Sequence, residues 1–318
     1  MAKTALIAGV TGQDGAYLAH HLLSMGYRVV GTSRDAQMAD STRLERLGIL
    51  GDVELISLAP NDFRSVLKVV SSVQPQEIYN LAGQTSVGLS FEQPVECMES
   101  ISVASLNLLE VIRYLGCGIR FFTAGSSECF GDTGQTAATE NTPLRPRSPY
   151  AVAKAAAYWQ VATYRNAYGM YVCTGILANH ESPLRPKRFV TQKIIEGVKK
   201  IKSGDANLLR LGNLDIWRDW GWAPDYVQAM HLMLQPDYPN DYLIASGTTT
   251  SLRKFAQETF NQANLDINNH LESVEALKRP ADLTFSALNP RLIEYDLGWK
   301  SRRSISDIVT KMYNNELF

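Results

Sequence analysis

Short apolar runs alternate with stretches of helical spacing over the first half of this 318-residue chain. Some of these runs have the length and composition of buried strands; they cover residues 4–8, 27–33, 53–58, 77–82, 119–124 and 172–177. Apolar residues recur at helical spacing between the runs, at residues 16–23, 63–72, 103–115 and 154–168. Strands that alternate with helices in this way predict an α/β fold with a doubly wound parallel sheet.

The alternation becomes less regular after residue 180, where prolines and a basic group interrupt it. The remainder, with a closing helix at residues 304–313, suggests a smaller C-terminal α/β lobe. We therefore predict a nucleotide-binding domain over residues 1–178. A mainly substrate-binding lobe would follow over residues 179–318, and its later segments are free to return to the first domain.

Three glycines lie between the first predicted strand and the first predicted helix. Gly9, Gly12 and Gly15 form a Gly-x-x-Gly-x-x-Gly pattern, and glycines at this place let the backbone approach a pyrophosphate at the helix N-terminus. A purely structural turn remains the alternative for three glycines taken alone. Their placement favours a Rossmann-type dinucleotide site.

The end of the second predicted strand bears on the choice of dinucleotide. Arg34 comes first there and Asp35 follows. A carboxylate at this point suits the adenine ribose of NAD, whereas an arginine suits the 2′-phosphate of NADP. We therefore predict NADP, with Arg43 as a second cation for the same phosphate. A solvated charge pair on a loop is the alternative.

A candidate catalytic set follows the fifth predicted strand. Ser126 and Glu128 lie just past that strand, and Tyr150 and Lys154 lie four residues apart, on one face of a helix. Because an ammonium favours the phenolate, we expect Lys154 to lower the pKa of Tyr150 and make it a base. These groups suffice for the oxidation of an alcohol and one further proton transfer. For Glu128, a carboxylate that caps the next turn is the alternative.

Composition excludes several classes of function. The net charge of −1 gives no electrostatic reason to expect a nucleic acid or an anionic membrane as a partner. The cysteines, at positions 97, 117, 129 and 173, show no paired spacing, so we predict neither a metal site nor a disulfide framework. The N-terminus enters a strand pattern at once and no apolar run approaches the roughly 18 residues of a membrane span. We therefore expect a cytoplasmic protein.

Several blocks of the chain, taken in order, resemble the GDP-mannose 4,6-dehydratase family of the extended short-chain dehydrogenase/reductase superfamily. They reach from the glycine turn to about residue 227 and lie at residues 11–15, 80–82, 127–128, 146–154, 175–177, 179–183, 189–191 and 218–221. The Tyr-x-x-x-Lys pair is typical of the whole superfamily. The Asn-His-Glu-Ser-Pro block at 179–183 and the Arg-Asp-Trp-Gly block at 218–221 are more particular to the family.

The resemblance implies a role for each matching position. The catalytic residues would be Ser126, Glu128, Tyr150 and Lys154. The cofactor-binding residues would be Gly9, Thr11, Gly12, Gln13, Asp14, Gly15, Arg34, Leu81, Ala82, Gly83, Gln84, Thr85, Tyr150, Lys154, His180 and Arg185. The substrate-binding residues would be Ser86, Asn179, Lys193, Arg218 and Arg279. Outside its block, His180 would more often be a packed core histidine, and we expect Trp217 to lie in the core.

The chain departs from the family pattern at a few positions. Ala59-Pro60 replaces a pair that contacts adenine, which puts that contact in doubt. The segment 35–37 replaces a more basic loop, and Leu184 replaces the first of two arginines. Ala178 and Trp222 replace an aromatic residue and a histidine, and we expect them to reshape the substrate end of the pocket.

The reaction implied is the 4,6-dehydration of a GDP-hexose, GDP-mannose first, by transient oxidation at C4 with a bound NADP. The resemblance also implies a homo-oligomer, a dimer or a tetramer. Glu128 discriminates among the alternatives, because a reductase or epimerase has no use for a base at C5. Three alternatives stay open: the same chemistry on another GDP-sugar such as a GDP-heptose, a 4-reductase or epimerase, and a non-catalytic NADP-sensing module.

Overall fold

The computed structural model describes residues 2–116, 118–277 and 281–318. Strands occur along the whole of this part of the chain. They are β1 (Thr4–Ala8), β2 (Arg28–Ser33), β3 (Glu54–Ser57), β4 (Glu77–Asn80), β5 (Arg120–Ser126), β6 (Val172–Leu177), β7 (Asn179–Glu181), β8 (Leu209–Leu211), β9 (Trp217–Trp222), β10 (Tyr242–Ile244), β11 (Thr249–Ser251), β12 (Leu271–Ser273) and β13 (Phe285–Ser286).

Helices connect and cover these strands. They are α1 (Gln13–Ser24), α2 (Thr42–Arg46), α3 (Phe63–Val73), α4 (Val87–Glu92), α5 (Pro94–Met98), α6 (Ala104–Leu115), α7 (Pro149–Tyr168), α8 (Val190–Ser203), α9 (Ala223–Leu232), α10 (Leu252–Gln262), α11 (Ile267–His270), α12 (Arg291–Leu297) and α13 (Ile305–Asn314). None of those in the described part of the chain combines the length and the apolar character that a transmembrane span requires. The cytoplasmic location stays a prediction.

The main sheet has seven parallel strands in the order β10-β6-β5-β4-β1-β2-β3. The predicted strand segments supply six of them, so the predicted doubly wound α/β fold is confirmed. The seventh, β10, has only three residues and comes from the irregular half of the sequence, where its pattern is too short to identify. The fifth strand runs two residues further than predicted and ends at Ser126 itself.

Helices cover both faces of the main sheet. Helices α1 and α9 pack together on one face, over the apolar residues of the central strands. Helices α3, α6 and α7 cover the other face. The chain changes direction between β1 and β4, the two central neighbours. A crevice therefore opens at the carboxyl ends of these strands, which is where ligands bind in folds of this kind.

The second lobe is built on a smaller sheet, in which β9 pairs with β7, β11 and β13. Helices α8, α10 and α13 pack on a separate core against this sheet, and Trp220 and Trp222 are buried there. The core position expected for Trp217 is wrong. Its side chain is 41% exposed and stacks on Phe285, because it is the first residue of β9, outside the core.

The chain crosses between the lobes more than once. It leaves the main sheet after β6, forms β7 in the second lobe, and returns with α9 and β10 before it enters the second lobe again. The division at residue 178 stays a prediction, and the segment 223–244 lies with the first domain.

Candidate active site

The turn between β1 and α1 brings bare backbone to the crevice. Gly9 has φ +85°, and a Cβ there would lie 3.0 Å from the backbone of Leu81 and Ala82. A Cβ on Gly15 would lie 2.2 Å from the carbonyl oxygen of Gly9. Side chains at these positions would separate the two turns, so the glycines are required by close approach.

The N-terminus of α1 faces this turn without a side-chain cap. Gly12 is the N-cap residue, and because it has no side chain it offers no side-chain oxygen to the first amide groups of the helix. Uncapped amides and the helix dipole together form a site for a phosphate group. The predicted residues Thr11 and Gly12 therefore have the geometry that a dinucleotide requires.

Asp14 and His180 form an ion pair that joins α1 to β7. The Oδ2 atom of Asp14 lies 2.9 Å from Nε2 of His180, and Nδ1 of the same ring lies 2.8 Å from the Ala178 carbonyl oxygen. Because a carboxylate and a carbonyl oxygen are both acceptors, this geometry favours the protonated ring, in which both nitrogens donate. Burial opposes this charge, but Asp14 outweighs burial and raises the pKa of His180.

His180, predicted as a cofactor contact, is held by protein groups, and its contact with a cofactor stays a prediction. Its ring is buried and stacks on Tyr226, with the ring centroids 4.7 Å apart. Both ring nitrogens lie within hydrogen-bond distance of protein groups, one of Asp14 and the other of Ala178. His180 therefore acts on the crevice through Asp14. Burial raises the pKa of Asp14, but the charge and hydrogen bond of His180 dominate and bring it to about 2.

Other contacts fasten the glycine turn to the segment after β7. Gln13 donates to the carbonyl oxygen of His180 at 3.2 Å and accepts from the Ser182 hydroxyl at 2.8 Å. Arg43 donates to the carbonyl oxygens of Thr11 at 3.0 Å and Leu184 at 2.9 Å. Arg43 therefore holds two backbone segments together, and its contact with a 2′-phosphate stays a prediction.

Arg34 and Asp35 follow directly after β2, and both are exposed. The Oδ1 atom of Asp35 accepts from the backbone N–H of Gln37 at 3.0 Å and of Met38 at 3.2 Å. This carboxylate therefore caps its own loop. Arg34, the other charged residue at this strand end, does not cap the loop.

The loop after β4 forms the opposite wall of the crevice. Gly83 has φ +124°, and the backbone N–H of Gln84 donates to Ser100 at 3.2 Å. Arg188 donates to the Thr85 hydroxyl at 3.3 Å. Ser86, predicted as a substrate contact, caps α4 by accepting from Leu89 N–H at 3.3 Å, so its hydroxyl has a structural use.

Helix α7 carries Tyr150 and Lys154 on one side, as their spacing predicts. Ser148 caps the helix by accepting from Ala151 N–H at 3.1 Å. The Nζ atom of Lys154 lies 5.9 Å from the centroid of the Tyr150 ring and donates to the Ala124 carbonyl oxygen at 2.7 Å. The helix is thereby fixed against the end of β5.

Burial is the largest influence on the pKa of Tyr150, and the expected effect of Lys154 on it stays a prediction. Burial raises the pKa of Tyr150 above its ordinary value, and the groups that oppose burial are the Ser126 hydroxyl and the charge of Arg185. The ammonium of Lys154 donates to the Ala124 carbonyl oxygen. Burial lowers the pKa of Lys154 itself to about 8.

Ser126 and Glu128 stand where β5 passes into a 3-10 turn, residues Ser127–Phe130. The Ser126 hydroxyl accepts from Glu128 N–H at 3.3 Å, so the two residues are held together. The Glu128 side chain is half-buried. A hydroxyl, a carboxylate and a phenol therefore meet at the carboxyl end of the sheet.

The predicted substrate residues lie in the second lobe. Asn179 begins β7, Lys193 is exposed on α8, and Arg218 is buried on β9 with Nη2 3.3 Å from Asp282. Arg279 lies outside the described residues. Among the residues that are described, no group of three or more His, Cys, Asp and Glu side chains could hold a metal ion.

Two of the family departures prove to be buried. Ala178 is 4% exposed and Trp222 has no exposed surface. They are core residues and do not line the substrate end of the pocket, contrary to the expectation from the sequence. Sequence reasoning also missed Glu181, which is buried and lies 3.2 Å from Arg185. The available signal was its place in the Asn-His-Glu-Ser-Pro block at 179–183.

Comparison with known proteins places the chain among nucleotide-sugar enzymes. Residues 6–312 match the family model described as GDP-mannose 4,6 dehydratase. The GDP-mannose 4,6-dehydratase of Sinorhizobium fredii strain HH103 is 40% identical over 346 aligned positions, which cover 99% of this chain and 97% of that protein.

Solved structures share the fold at lower identity. UDP-glucose 4-epimerase of Thermus thermophilus, in complex with NAD, superposes with a TM-score of 0.86 at 22% identity, over 98% of each chain. RMD of Pseudomonas aeruginosa, in complex with NADPH, has a TM-score of 0.79 at 22% identity, over 99% of this chain and 97% of that one.

The ion pair between Asp14 and His180 predicts a window of pH in which it stabilises the fold. The pKa of Asp14 falls from 3.8 to about 2, so its contribution is present above pH 3.8 and is lost as the pH falls toward 2. The pKa of His180 rises above 6.5, so its contribution is complete below pH 6.5 and is lost as the pH rises through the raised value. Asp14→Asn should therefore lower the free energy of unfolding by about 2 kcal/mol between these limits.

Urea denaturation of both proteins from pH 3 to pH 9 measures this difference. It should shrink toward both ends of the range. Asp52→Asn, at an exposed site, is the control and should change the free energy of unfolding by less than about 0.5 kcal/mol at every pH. If the difference in free energy of unfolding between Asp14→Asn and wild type stays the same at every pH, the result would contradict the ion pair.

Proposed function

Since the chain belongs to the GDP-mannose 4,6-dehydratase family and is therefore an enzyme that removes water from a GDP-hexose, we propose that it does so with Ser126, Glu128, Tyr150 and Lys154. The observation that carries this proposal is the meeting of the Ser126–Glu128 turn with the start of α7 at the carboxyl end of the sheet. The product would be the 4-keto-6-deoxy sugar nucleotide, with GDP-mannose as the first substrate to test.

The cofactor is a nicotinamide dinucleotide, and we propose that it is NADP. The bare glycine turn and the uncapped start of α1 support the dinucleotide. The exposed Arg34, next to a carboxylate that caps its own loop, supports the 2′-phosphate of NADP. When bound, the oxidised nicotinamide would supply the two-electron acceptor that oxidation at C4 requires and would return the same electrons at C6.

The first chemical step falls to residues of β5 and α7. Tyr150 accepts the proton of the sugar's 4-hydroxyl while C4 is oxidised to a ketone. Ser126 donates a hydrogen bond to the C4 oxygen and keeps it beside the phenol. Lys154 fixes α7 against Ala124, and the charge of Arg185 favours the phenolate.

The second step falls to Glu128. A ketone at C4 makes the proton on C5 acidic, and Glu128 accepts that proton. The same carboxyl group then donates to the 6-hydroxyl, which leaves as water. Reduction at C6 and protonation of C5, by the proton that Tyr150 accepted in the first step or its equivalent from solvent, complete the reaction with no net redox change. Without Glu128 the remaining residues would serve a reductase or an epimerase.

The substrate is a nucleotide sugar, and we propose a GDP-sugar with mannose as its sugar. The basis for a GDP-heptose was the pair Ala178 and Trp222, and neither lies at a surface. Arg218 and Lys193 of the second lobe, together with Asn179, are the proposed substrate contacts. Arg185 and the segment 81–85 are proposed for the cofactor.

We propose a homo-oligomer whose interface is the outer side of α6 and α7. Val152 and Trp159, two turns apart on α7, are 45% and 59% exposed. Val103, which directly precedes α6, and Tyr114, near the end of α6, are exposed as well. A two-fold interface uses the same patch on both subunits, and an apolar stripe flanked by the Glu110–Arg113 ion pair is self-complementary.

Glu128→Gln tests the division of the reaction into two steps. The variant should lose the release of water from GDP-mannose by about 100-fold or more, because glutamine cannot accept the C5 proton. Reduction of the nicotinamide should persist. Mass spectrometry of the sugar nucleotide measures the first quantity, and absorbance of the reduced cofactor measures the second. Tyr150→Phe is the matched comparison, since it should abolish both signals.

Water loss at the wild-type rate in Glu128→Gln would remove this residue from the mechanism. Normal reduction of the cofactor in Tyr150→Phe would likewise remove Tyr150 as the base.

Arg34→Ala tests the choice of dinucleotide. The variant should weaken NADP+ binding by about 10-fold to 100-fold, because a charged hydrogen bond to the 2′-phosphate is lost. NAD+ binding should change by less than about twofold. Isothermal titration with each dinucleotide measures both constants. Arg28→Ala, at the other end of β2, is the control. Equal losses for the two dinucleotides would contradict the role of Arg34.

Trp159→Arg tests the oligomer. The variant should have about half the particle mass of the wild-type protein. At a two-fold contact the introduced arginine would be buried next to the same arginine of the other subunit, and the two charges would repel each other. Light scattering after gel filtration measures the mass. Tyr295→Arg is the matched control, since Tyr295 is 88% exposed and lies outside α6 and α7. An unchanged mass for Trp159→Arg would exclude this surface.

A further inference from the structure

Glu181 is a carboxylate buried at the junction of the two lobes, outside the catalytic set. It is the last residue of β7 and lies opposite Trp222 on β9. Its exposure is 0%. A buried carboxylate is costly unless it is paired and hydrogen-bonded. The partners of Glu181 therefore indicate the use of its charge.

One oxygen of Glu181 holds both partners. Oε2 accepts from the Thr191 hydroxyl at 2.5 Å and lies 3.2 Å from Nε of Arg185. Thr191 belongs to the first turn of α8 and is itself buried. The carboxylate thus fixes the arginine to β7 and to α8 at the same time.

The guanidinium of Arg185 is restrained on its edge and on its face. Glu181 meets its Nε edge, and the Phe189 ring lies 4.0 Å from its central carbon. Within the described ranges of the chain, neither terminal nitrogen of Arg185 has a hydrogen-bond partner. Its charge acts on Asp14 of the glycine turn and on Tyr150 of α7, and it lowers the pKa of each. Arg185 therefore lies within electrostatic range of both sides of the crevice.

Another partly buried arginine, Arg165, shows what a structural ion pair looks like in this chain. Arg165 donates to both oxygens of Asp241 and also to the Val172 carbonyl oxygen, so its terminal nitrogens are satisfied by the protein. Arg185 differs because its carboxylate meets only the Nε side. The two terminal nitrogens of Arg185 are therefore still available as the pair of donors that suits a phosphate group.

We propose that Glu181 is a positioning residue for the cofactor, which holds Arg185 so that its terminal nitrogens are kept for the phosphate groups of the dinucleotide. The inference rests on the cofactor role given to Arg185 in the proposed function. A guanidinium already fixed on two sides loses little conformational freedom when it binds an anion, which strengthens binding without a new contact.

Titration of NADP+ into the full-length protein, together with thermal unfolding of the same samples, tests this role. The variants are Glu181→Gln, Arg185→Gln and the double variant. Glu77→Gln is the matched control, because Glu77 is 1% exposed and is paired with Lys3 at the opposite end of the main sheet. Both glutamate variants should lower the melting temperature, since both remove a buried charge from its partners.

The dissociation constants separate positioning from structure. Glu181→Gln should weaken NADP+ about tenfold, and Glu77→Gln should leave it within about twofold. The double variant should bind no more weakly than Arg185→Gln, because Glu181 acts through Arg185.

Three results would overturn the inference. They are wild-type affinity in Glu181→Gln, an equal loss of affinity in Glu77→Gln, and a loss in the double variant that equals the product of the single losses. If Glu181→Gln does not fold, Arg185→Gln with wild-type affinity is decisive against it. Failure of the wild-type protein to bind NADP+ would instead overturn the proposed cofactor, so the two failures are distinguishable.

Discussion

The ion pair between Asp14 and His180 is the contact on which the crevice depends. It joins the first helix of the main sheet to the first strand of the second lobe, and its partners are 166 residues apart in the chain. Gln13 and Ser182 reinforce it, and Arg43 closes the same junction from the other side. The glycine turn can stay bare of side chains because these flanking contacts hold it in place.

The basic residues near the crevice carry the same charge but have different roles in the structure. Arg43 satisfies backbone carbonyl groups, and Lys154 fixes α7 to the end of β5. Arg185 is the cation whose field favours ionisation of Tyr150. Burial lowers the pKa of Arg43 and of Lys154, and each of these two cations has a backbone carbonyl group as its acceptor. Each of these cations near the crevice therefore has its own role, and together they do not form a diffuse positive patch.

The features that depend on local spacing were predictable from the sequence. The strands of the main sheet, the glycine turn and the face shared by Tyr150 and Lys154 follow from short-range patterns, and all appear as expected. Contacts between distant segments were not predictable in this way. The spacing of Tyr150 and Lys154 does not predict that the Lys154 ammonium donates a hydrogen bond to the Ala124 carbonyl group.

The second lobe was harder to read than the first. Its strands are mostly three residues long, too short for a periodic pattern, and they pair with segments far away in the chain. Burial was misjudged for Trp217 and Trp222 for the same reason, since residue type alone does not say which side of a short strand faces a core. The Asn-His-Glu-Ser-Pro block was informative as a motif, but the pairing of its histidine with Asp14 required the fold.

The late return of β10 to the main sheet bears on how the protein is made. Until residue 244 has left the ribosome, β6 is the edge of an unfinished sheet, and its residues, all buried in the finished protein, have no neighbour on that side. An unpaired apolar edge of this kind invites pairing with other chains and gives chaperones a period in which to act. The unit of folding therefore extends well beyond residue 178, where we predict that the nucleotide-binding domain ends.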